Sequence, residues 1–502
     1  MQISVLEYLE RAAERWPERI AYRDEQESIT FAEVLDECNR IGSVLCDVTQ
    51  PKRPIIVLAT KNVHVASLYL GVAAAGCFYV PLDAELPIYR LKAIFDIVQA
   101  EIVLSDGRAV IPDELCFTGR IITLDECLAA KPNFAALSER RKNQLDVDPL
   151  YVIFTSGSSG VPKGVVASHR AVIYCIDVFA ETFGISESDV LGSQAPLDYI
   201  AALRDLYLPL RTGAETVLIP KSLFSMPKKL FEYVNESKIT TICWVAAALS
   251  LCSELGVFEE ANLDTVRRIF FAGSVLPSRH LRIWQEHLPD AVFVNHYGPT
   301  EITSSCTYYV VDHKVSDDDA VPIGILFRNA DILLLDENGK PVPEGEMGEI
   351  YVRSAGLALG YFRDHQKTQE SFIINPMQLY IDEIIYKTGD LGKKRPDGNY
   401  TFHGRRDSQI KHMGHRIELG EIEAAVLSLP GLGSVCCLYQ PEKEMIWLFY
   451  TGTADKKELA IHLRERLPGF MIPRKFMKID KMPRLANGKT NSNALREILQ
   501  NG

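Results

Sequence analysis

The sequence predicts an α/β protein: a large N-terminal domain of parallel or mixed sheets covered by helices, followed by a small C-terminal α+β domain. Its 502 residues are more than one compact core usually organises. Short apolar runs also alternate with longer helical patterns, which is typical of parallel sheets joined by crossover helices. The apolar runs are residues 54–59, 102–104, 151–155, 216–219 and 268–272, and residues 227–236 form one of the helical patterns.

The pattern changes towards the C-terminus. Residues 348–353 alternate as a strand, and turn dipeptides such as Asp397-Gly398 become frequent. We therefore divide the chain into domains of residues 1–406 and 407–502. In the second domain we expect a helix from about Leu419, strands around 434–439 and 445–451, and a helix over 456–467.

The composition is that of a packed, water-soluble protein, with 47% hydrophobic and 24% charged residues. The 66 acidic residues outnumber the 54 basic ones and give a formal net charge of −12. Such a field disfavours nucleic acids and anionic membranes as partners. Any bound polyphosphate must therefore be held by a local arrangement of side chains.

Neither the cysteines nor the N-terminus indicates export. The 11 cysteines form no CxxC pair and no zinc-site spacing, which favours reduced thiols in a cytoplasm. The first 22 residues have the charge spacing of an amphipathic helix rather than of a signal peptide. Residues 63–82 lack Asp, Glu, Lys and Arg but contain Gly71, Gly76 and Pro81, so we interpret them as a buried helix and a buried strand.

The most informative segment is 151–164, YVIFTSGSSGVPKG, in which an apolar strand leads into a loop of glycines, hydroxyl side chains and a lysine. Such a loop can cradle phosphate, because glycines allow close backbone approach and Lys163 supplies a mobile charge. It is not a Walker A loop, since Gly164 follows Lys163 where that motif needs Ser or Thr.

This loop resembles the phosphate-loop signature of the adenylate-forming superfamily, which comprises acyl-CoA synthetases, luciferases and the adenylation domains of nonribosomal peptide synthetases. Further segments resemble the family's other signatures, in the family's order and over essentially the whole chain. They are AGCFYVPLDAELPIYRL (75–91), NHYGPTE (295–301), residues 348–361, YKTGDL (386–391), GRRDSQIK (404–411), GHRIELGEIE (414–423) and Asn487-Gly488-Lys489.

The resemblance implies that the chain binds ATP and Mg²⁺. It implies that Tyr297 stacks on adenine, that Thr300 contacts the α-phosphate and that Glu301 helps to hold Mg²⁺. It also places Asp390 and Arg405 at the ribose. The phosphate-binding residues it implies are Thr155, Ser156, Gly157, Ser158, Ser159, Gly160 and Lys163.

Two further roles follow from the same resemblance. Lys489 would bridge the substrate carboxylate and the developing charge on the α-phosphate, although the following TNSNAL departs from the Asp-Arg pair of many relatives. Asp407 would be the hinge about which the small domain rotates between two half-reactions. Lys489 would then act in the first state, and residues 409–413 would face the site in the second.

Residues 414–423 and 75–91 look most like those of amino-acid adenylation domains and D-alanine-carrier ligases. No carrier domain follows residue 502, so we expect a free-standing ligase that loads a separate carrier protein through its phosphopantetheine thiol. A ligase that uses free coenzyme A is the nearest alternative. A non-catalytic adenylate sensor is a more remote one, because Lys163, Glu301, Asp390 and Lys489 are all present.

The acid pocket departs from the family pattern. Where α-amino-acid activators carry the aspartate that binds the ammonium group, this chain has Ile200. A buried ammonium without a partner is costly, so we expect selection against α-amino acids. Asp198 is either a displaced ligand for an amino group or a structural turn residue. The remaining pocket candidates are Arg204, Trp244, Ala247, Phe270, Ala272, His296, Ser304 and Ser305; His296 and Trp244 have core packing as an alternative.

These side chains combine flat apolar surfaces with small polar groups. They favour an aryl acid of the anthranilate or hydroxyanthranilate kind, with a β-amino acid as the second class.

Overall fold

The computed structural model describes residues 2–157, 161–317, 319–406, 409–484 and 490–500. Its strands, in chain order, are β1 (Ile20–Arg23), β2 (Ser28–Thr30), β3 (Pro54–Ala59), β4 (Phe78–Asp83), β5 (Ile102–Ser105), β6 (Arg120–Thr123), β7 (Pro149–Thr155), β8 (Lys163–Ser168), β9 (Val190–Ser193), β10 (Glu215–Leu218), β11 (Thr241–Val245), β12 (Arg268–Ala272), β13 (Val292–Tyr297), β14 (Thr307–Val310), β15 (Ile325–Leu326), β16 (Ala330–Leu335), β17 (Gly348–Ser354), β18 (Gly360–Tyr361), β19 (Phe372–Ile374), β20 (Ile384–Lys394), β21 (Tyr400–Arg405), β22 (Gln409–His412), β23 (His415–Glu418), β24 (Leu432–Gln440), β25 (Met445–Gly452) and β26 (Lys475–Lys478).

The α-helices are α1 (Leu6–Arg15), α2 (Phe31–Val48), α3 (Val65–Ala74), α4 (Ile88–Val98), α5 (Leu124–Ala129), α6 (Phe134–Lys142), α7 (His169–Phe183), α8 (Leu203–Thr212), α9 (Pro227–Glu236), α10 (Ala246–Glu254), α11 (Ser278–His287), α12 (His365–Ser371), α13 (Leu419–Leu427), α14 (Lys456–Arg464) and α15 (Ser492–Gln500). None of the helices in the described ranges combines the length and the apolar character that crossing a bilayer requires.

Two large sheets and a smaller antiparallel one form the N-terminal part. The first runs in the order β15-β14-β13-β12-β11-β9-β10-β1-β2, and the second in the order β18-β8-β7-β4-β3-β5-β6. The third runs β16-β17-β20-β19, with β21 paired to β20. Strands β9 to β13 pair in parallel, whereas β14 returns antiparallel to β13. This is the mixed α/β architecture that the sequence predicts.

Sequence patterns account for the central elements. The apolar segment 63–82 forms α3, whose residues are all buried, and then the buried strand β4. A near-continuous apolar strand is expected in a parallel sheet because both of its faces are covered by helices. The prediction of a buried helix and strand in place of a membrane span is therefore confirmed.

The C-terminal part is a separate small α+β unit. A three-stranded sheet, β24-β25-β26, packs one face against α13 and α14 and the other against α15. The short hairpin of β22 and β23 precedes it, and we call this the C-terminal hairpin. The predicted helices and strands are found here within a few residues. The division at residue 407 stays a prediction, since Asp407 lies outside the described residues.

Candidate active site

The candidate site lies where the parallel strands β9, β11, β12 and β13 end. Their register places Ser193, Val245, Ala272 and Tyr297 along one edge of the sheet. Crevices outside the carboxyl ends of parallel strands are the usual ligand sites of open α/β sheets. The loop after β7 and the C-terminal hairpin both approach this edge.

Glu301 is a fully buried charge at this edge, with none of its surface exposed. It sits in the short 3₁₀ turn Thr300–Ile302 that follows β13. Its Oε1 accepts hydrogen bonds from Tyr361 Oη at 2.7 Å and Lys163 Nζ at 3.2 Å. Its Oε2 accepts from Arg416 Nη1 at 2.6 Å. Thr300, the predicted α-phosphate contact, is buried beside it.

The two cations determine the charge of this carboxylate. Burial by itself would raise the pKa of Glu301, but the Arg416 guanidinium and the Lys163 ammonium outweigh burial and hold the pKa below its ordinary range. Burial, together with the nearby Arg416 charge, lowers the pKa of Lys163 to about 8. Glu301 is therefore ionised at neutral pH, and Lys163 is close to losing its proton.

Asp390 forms a second paired carboxylate. It lies directly opposite Arg405 across β20 and β21, and its Oδ1 accepts from Arg405 Nη1. Its Oδ2 accepts from Tyr297 Oη at 2.5 Å and lies 4.0 Å from Lys411 Nζ. Lys411 Nζ also stands 4.8 Å from the centroid of the Tyr297 ring. The structure thus brings together the three residues predicted for the adenosine part of ATP.

The phosphate loop is described on both sides of its tip. Thr155 ends β7 and pairs in register with Lys163, the first residue of β8. A Cβ at Gly157 would lie 2.0 Å from the carbonyl oxygen of Val161, so only glycine fits there. Ser156 Oγ donates to the backbone oxygen of Arg416. Ser158, Ser159 and Gly160 lie outside the described residues.

The C-terminal hairpin supplies residues that our sequence analysis did not single out. Lys411 and Arg416 are register partners on β22 and β23, so their side chains leave the same face. They reach Asp390 and Glu301 respectively. Tyr361, on β18 outside the hairpin, was also not singled out, and it hydrogen-bonds Glu301. All three are within motifs quoted above, so the signal was present. The partners of Lys411 and Arg416 depend on how the hairpin docks, whereas the partner of Tyr361 depends on how β18 packs near the turn that follows β13.

The tip of the hairpin closes over the strand ends. Met413 and Gly414 both have positive φ, as a two-residue hairpin turn requires. Tyr199 Oη donates to the Gly414 carbonyl oxygen at 2.5 Å, and a Cβ on Gly414 would meet the Val245 side chain at 2.5 Å. Lys411, within residues 409–413, therefore faces the site, and the assignment of this docking to the second half-reaction stays a prediction. Lys489, predicted for the first, lies outside the described residues.

Arg204 lies in the predicted acid pocket and is 3% exposed. Its Nη2 donates to Ser305 Oγ at 2.6 Å, its Nη1 lies 3.3 Å from Cys243 Sγ, and its guanidinium stands 4.8 Å from the centroid of the Phe179 ring. Its Nε has no hydrogen-bond partner within the described ranges. Nor does any carboxylate in those ranges lie within ion-pair distance of Arg204.

Aromatic rings surround His296 in the same region. Their centroids lie 5.3 Å (Phe270), 5.4 Å (Phe179), 5.7 Å (Phe183) and 6.1 Å (Phe327) from that of the imidazole. Neither ring nitrogen has a hydrogen-bond partner in the described part of the chain. Burial, assisted by the Arg204 charge, holds the pKa of His296 well below its ordinary value. The imidazole is therefore neutral.

The other predicted pocket residues divide into two groups. Phe270 and Cys243 are register partners on one face of the sheet, and Ala272 continues that face. Trp244 pairs with Phe271 on the opposite face, where it packs in another hydrophobic cluster and donates to the Gly192 carbonyl oxygen at 3.0 Å. The structure thus places Trp244 in core packing. Ala247, Ile200 and Ser304 line the strand-end region as buried or half-buried residues.

Asp198 lies in a different place from Arg204. It lines a cavity of about 310 Å³ that is also bordered by the phosphate-loop residues Thr155 and Ser156, by Arg416 and by residues 464–472 of the C-terminal unit. Its Oδ2 accepts from the Asp83 backbone nitrogen at 3.4 Å. Burial, with a smaller contribution from Asp83, raises the pKa of Asp198 to about 6. None of the pocket residues bonded to Arg204 borders this cavity.

Comparison with known proteins agrees with these observations. Residues 9–362 match the model of the AMP-binding enzyme family, and residues 421–489 match that of the AMP-binding enzyme C-terminal domain. Zwittermicin A synthase ZmaJ of Bacillus cereus is 29% identical over 508 residues, which cover 99% of this chain and 95% of that protein. Bacitracin synthase 1 of Bacillus licheniformis is 31% identical over 98% of this chain, which spans only 9% of that much longer protein.

Solved structures share the fold. Holo-PA1221, a nonribosomal peptide synthetase protein that contains adenylation and PCP domains, aligns with a TM-score of 0.84 at 23% identity, covering 99% of this chain and 84% of that one. Klebsiella oxytoca NpsA in complex with 3-hydroxyanthranilyl-AMSN aligns with a TM-score of 0.68 at 21% identity over both full chains.

The family match covers well over half of the chain and includes the buried Glu301 and Lys163 pair. The chain therefore belongs to the AMP-binding enzyme family, the adenylate-forming ligases.

Proposed function

We propose that the chain activates a small carboxylic acid with ATP, forming an acyl-adenylate and pyrophosphate, and then transfers the acyl group to the phosphopantetheine thiol of a separate carrier protein. The observation that carries this proposal is the pairing of two buried carboxylates, Glu301 and Asp390, with cations beside the phosphate loop.

In the first half-reaction, a carboxylate oxygen of the acid attacks the α-phosphorus of ATP. A P–O bond forms, the bond to the β-phosphate breaks, and pyrophosphate leaves. The nucleophile is already ionised, so catalysis needs positioning and charge stabilisation rather than a base. Lys163 would neutralise phosphate charge, Thr300 would hold the α-phosphate, and Lys489 would bridge the two reacting groups.

The nucleotide subsites follow from the contacts of the free protein. Asp390 would accept hydrogen bonds from the ribose hydroxyls beside Arg405, and Tyr297 offers a ring to the adenine. The Tyr297 face now near Lys411 would have to be released for that stacking. Rotation of the C-terminal unit about Asp407 would remove Lys411 and Arg416 together, because both are on one hairpin.

Mg²⁺ fits this site through Glu301. Magnesium usually takes one or two carboxylates together with phosphate oxygens and waters, and Glu301 provides a buried, ionised carboxylate next to the phosphate loop. When bound, the ion would neutralise phosphate charge. The Glu301 oxygen that Arg416 occupies becomes available once the hairpin leaves.

In the second half-reaction, the thiol sulfur attacks the acyl carbon, the C–O bond to the phosphate breaks, and AMP leaves with the bridging oxygen. Arg416 would stay at Glu301 during this half-reaction. Support for a carrier as the acceptor comes from PA1221, which contains adenylation and PCP domains in one protein.

The acid itself is proposed to lack a charged amino group in the pocket. Ile200 replaces a carboxylate, Asp198 lines the interdomain cavity, and Arg204 brings a positive charge. These features count against β-amino acids. Of the classes predicted from sequence, aryl acids with hydroxyl substituents remain, and the 3-hydroxyanthranilyl ligand of NpsA supports them.

The test is ATP–pyrophosphate exchange over a panel of aryl acids, β-amino acids, α-amino acids, dicarboxylic acids and short fatty acids. We expect exchange with at least one acid class and its loss in Lys489→Ala. The acid that supports exchange is then incubated with the chain, ATP and either free coenzyme A or phosphopantetheinylated carrier proteins. The thioesters formed are detected by mass spectrometry. Faster loading of coenzyme A than of every carrier would assign the chain to the acyl-CoA ligases instead.

A further inference from the structure

Arg204 is a buried cation without a counter-ion in the region where the proposed function puts the side chain of the acid. It is almost wholly inaccessible, and in the described ranges its polar contacts are a hydroxyl, a thiol and an aromatic face. Buried charges in proteins are normally paired or coordinated, because removing a charge from water without a partner is costly. Arg204 thus lacks the anion that its burial calls for.

Asp205 interacts electrostatically with Arg204, but no carboxylate in the described ranges comes within ion-pair distance of the guanidinium. Asp205, the next residue, shares its charge with Lys61, and burial raises the pKa of Asp205 to about 7. Lys61 is itself bound to the carbonyl oxygens of Ser193 and Gln194. The group of Lys61, Asp205 and Arg204 therefore sets two basic side chains against one carboxyl.

His296 is a second possible hydrogen-bond donor near the Arg204 guanidinium. His296 is 3% exposed and neutral, and neither of its ring nitrogens is partnered in the described part of the chain. His296 and Arg204 both contact the Phe179 ring. An unpaired buried polar group is expensive unless a ligand or water satisfies it. Arg204, Ser305 and His296 together offer donors and a net positive charge.

Space at this point is limited. A cavity of about 10 Å³ touches Arg204, Phe179, Ser305 and Phe327, which is roughly the room that one ordered water occupies. The surrounding aromatic rings pack against one another and fill the rest of this region. A carboxylate that reaches Arg204 must therefore take up this space and widen it by moving the surrounding side chains.

We propose that the acid which this chain adenylates is a short dicarboxylic acid, whose second carboxylate is bound by Arg204 and hydrogen-bonded by Ser305 and His296. This rests on the proposed adenylation of a small carboxylic acid and names a class that competes with the hydroxy-substituted aryl acids, so the exchange panel decides between the two. A guanidinium matches a carboxylate with two parallel hydrogen bonds, which a hydroxyl or an amine cannot accept. The first carboxylate attacks ATP, and the second remains unchanged.

The experiment is ATP–pyrophosphate exchange of the full chain with malonate and succinate against propionate, butyrate, β-alanine and 4-aminobutyrate. Phthalate against salicylate and anthranilate forms an aryl arm. We expect kcat/KM for the preferred dicarboxylate to exceed that of its monocarboxylate counterpart by about 100-fold or more, as for other buried charge pairs. In Arg204→Met this preference should fall by about the same factor.

His296→Phe keeps an aromatic ring in the cluster and should lower the dicarboxylate preference by about tenfold through loss of one hydrogen bond. If thermal unfolding shows that Arg204→Met does not fold, the His296→Phe variant decides the test. Exchange confined to amino-, hydroxy- or monocarboxylic acids, unchanged in both variants, would overturn this inference and leave the proposed function intact. Absence of exchange with every acid, in folded protein that binds ATP, would overturn both.

Discussion

The nucleotide side and the acid side of the site differ in how their buried charges are satisfied. At the nucleotide side, Glu301 has three donors and Asp390 has two, and Lys411 is a second cation 4.0 Å from Asp390. At the acid side, Arg204 and His296 have unpaired nitrogens in the described ranges. The C-terminal hairpin therefore completes the charge pairing on the proposed ATP side, whereas the described residues leave the proposed acid side unpaired.

The comparison predicts the largest loss for Glu301→Gln. Removing this charge leaves Lys163 and Arg416 buried without their shared carboxylate, so we expect unfolding free energy to fall by about 3–5 kcal/mol. Exchange activity should fall by about 10³-fold, since metal and phosphate positioning are lost together. Chemical denaturation and exchange rates measure the two effects.

The matched control is Glu139→Gln, whose carboxylate is 66% exposed and paired with Lys142. We expect this change to shift stability by less than about 0.5 kcal/mol. Equal losses of stability in the two variants would show that the buried pairing of Glu301 contributes no more than an exposed ion pair. The contrast between the two sides of the site would then fail.

Asp390→Asn should act mainly on ATP. The amide keeps the shape but loses the charge that Arg405 and Lys411 face, so we expect KM for ATP to rise by about 30-fold, equivalent to about 2 kcal/mol. KM for the acid should change much less. A larger effect on the acid than on ATP would place Asp390 in the wrong subsite.

The pH dependence of ATP use should report Lys163. Its pKa of about 8 in the free protein means that the ammonium is present below pH 8 and lost as the pH rises through that value. We therefore expect kcat/KM for ATP to decline above about pH 8, approaching tenfold per pH unit. Lys163→Arg should move the decline to higher pH, because a guanidinium stays protonated. An unshifted decline in that variant would assign it to another group.

Asp198→Asn should have the smallest effect. Asp198 lines the interdomain cavity away from Arg204, so we expect KM for the acid in exchange assays to stay within about threefold of that of the unmodified protein. A rise of 30-fold or more would restore Asp198 as an acid-binding residue and weaken the case for Arg204.

The sequence was sufficient where chemistry is local. The phosphate loop and Glu301 each follow a strand within a few residues, and Asp390 lies within one, so their motifs indicate where they lie. Lys411 and Arg416 were missed because their partners are set by tertiary docking of a hairpin. Tyr361 was missed because its partner Glu301 is brought close by the packing of β18, which residue spacing does not encode.

The acid pocket was harder to predict for a geometric reason. Neighbouring residues of a strand face opposite sides, so a one-residue uncertainty exchanges Cys243 for Trp244. Phe270 pairs with Cys243, which shows that Cys243 and not Trp244 lies on the pocket face. That pairing becomes known only with the structure. The unpaired state of Arg204 is likewise a property of the folded environment.

The most direct test of the proposed chemistry is isotope transfer. An acid that supports exchange is prepared with both carboxylate oxygens as ¹⁸O and incubated with ATP, the chain and an acceptor thiol. Attack on the α-phosphorus predicts AMP that carries one ¹⁸O atom, because the bridging oxygen leaves with the nucleotide. Unlabelled AMP, or ADP as the product, would contradict formation of an acyl-adenylate.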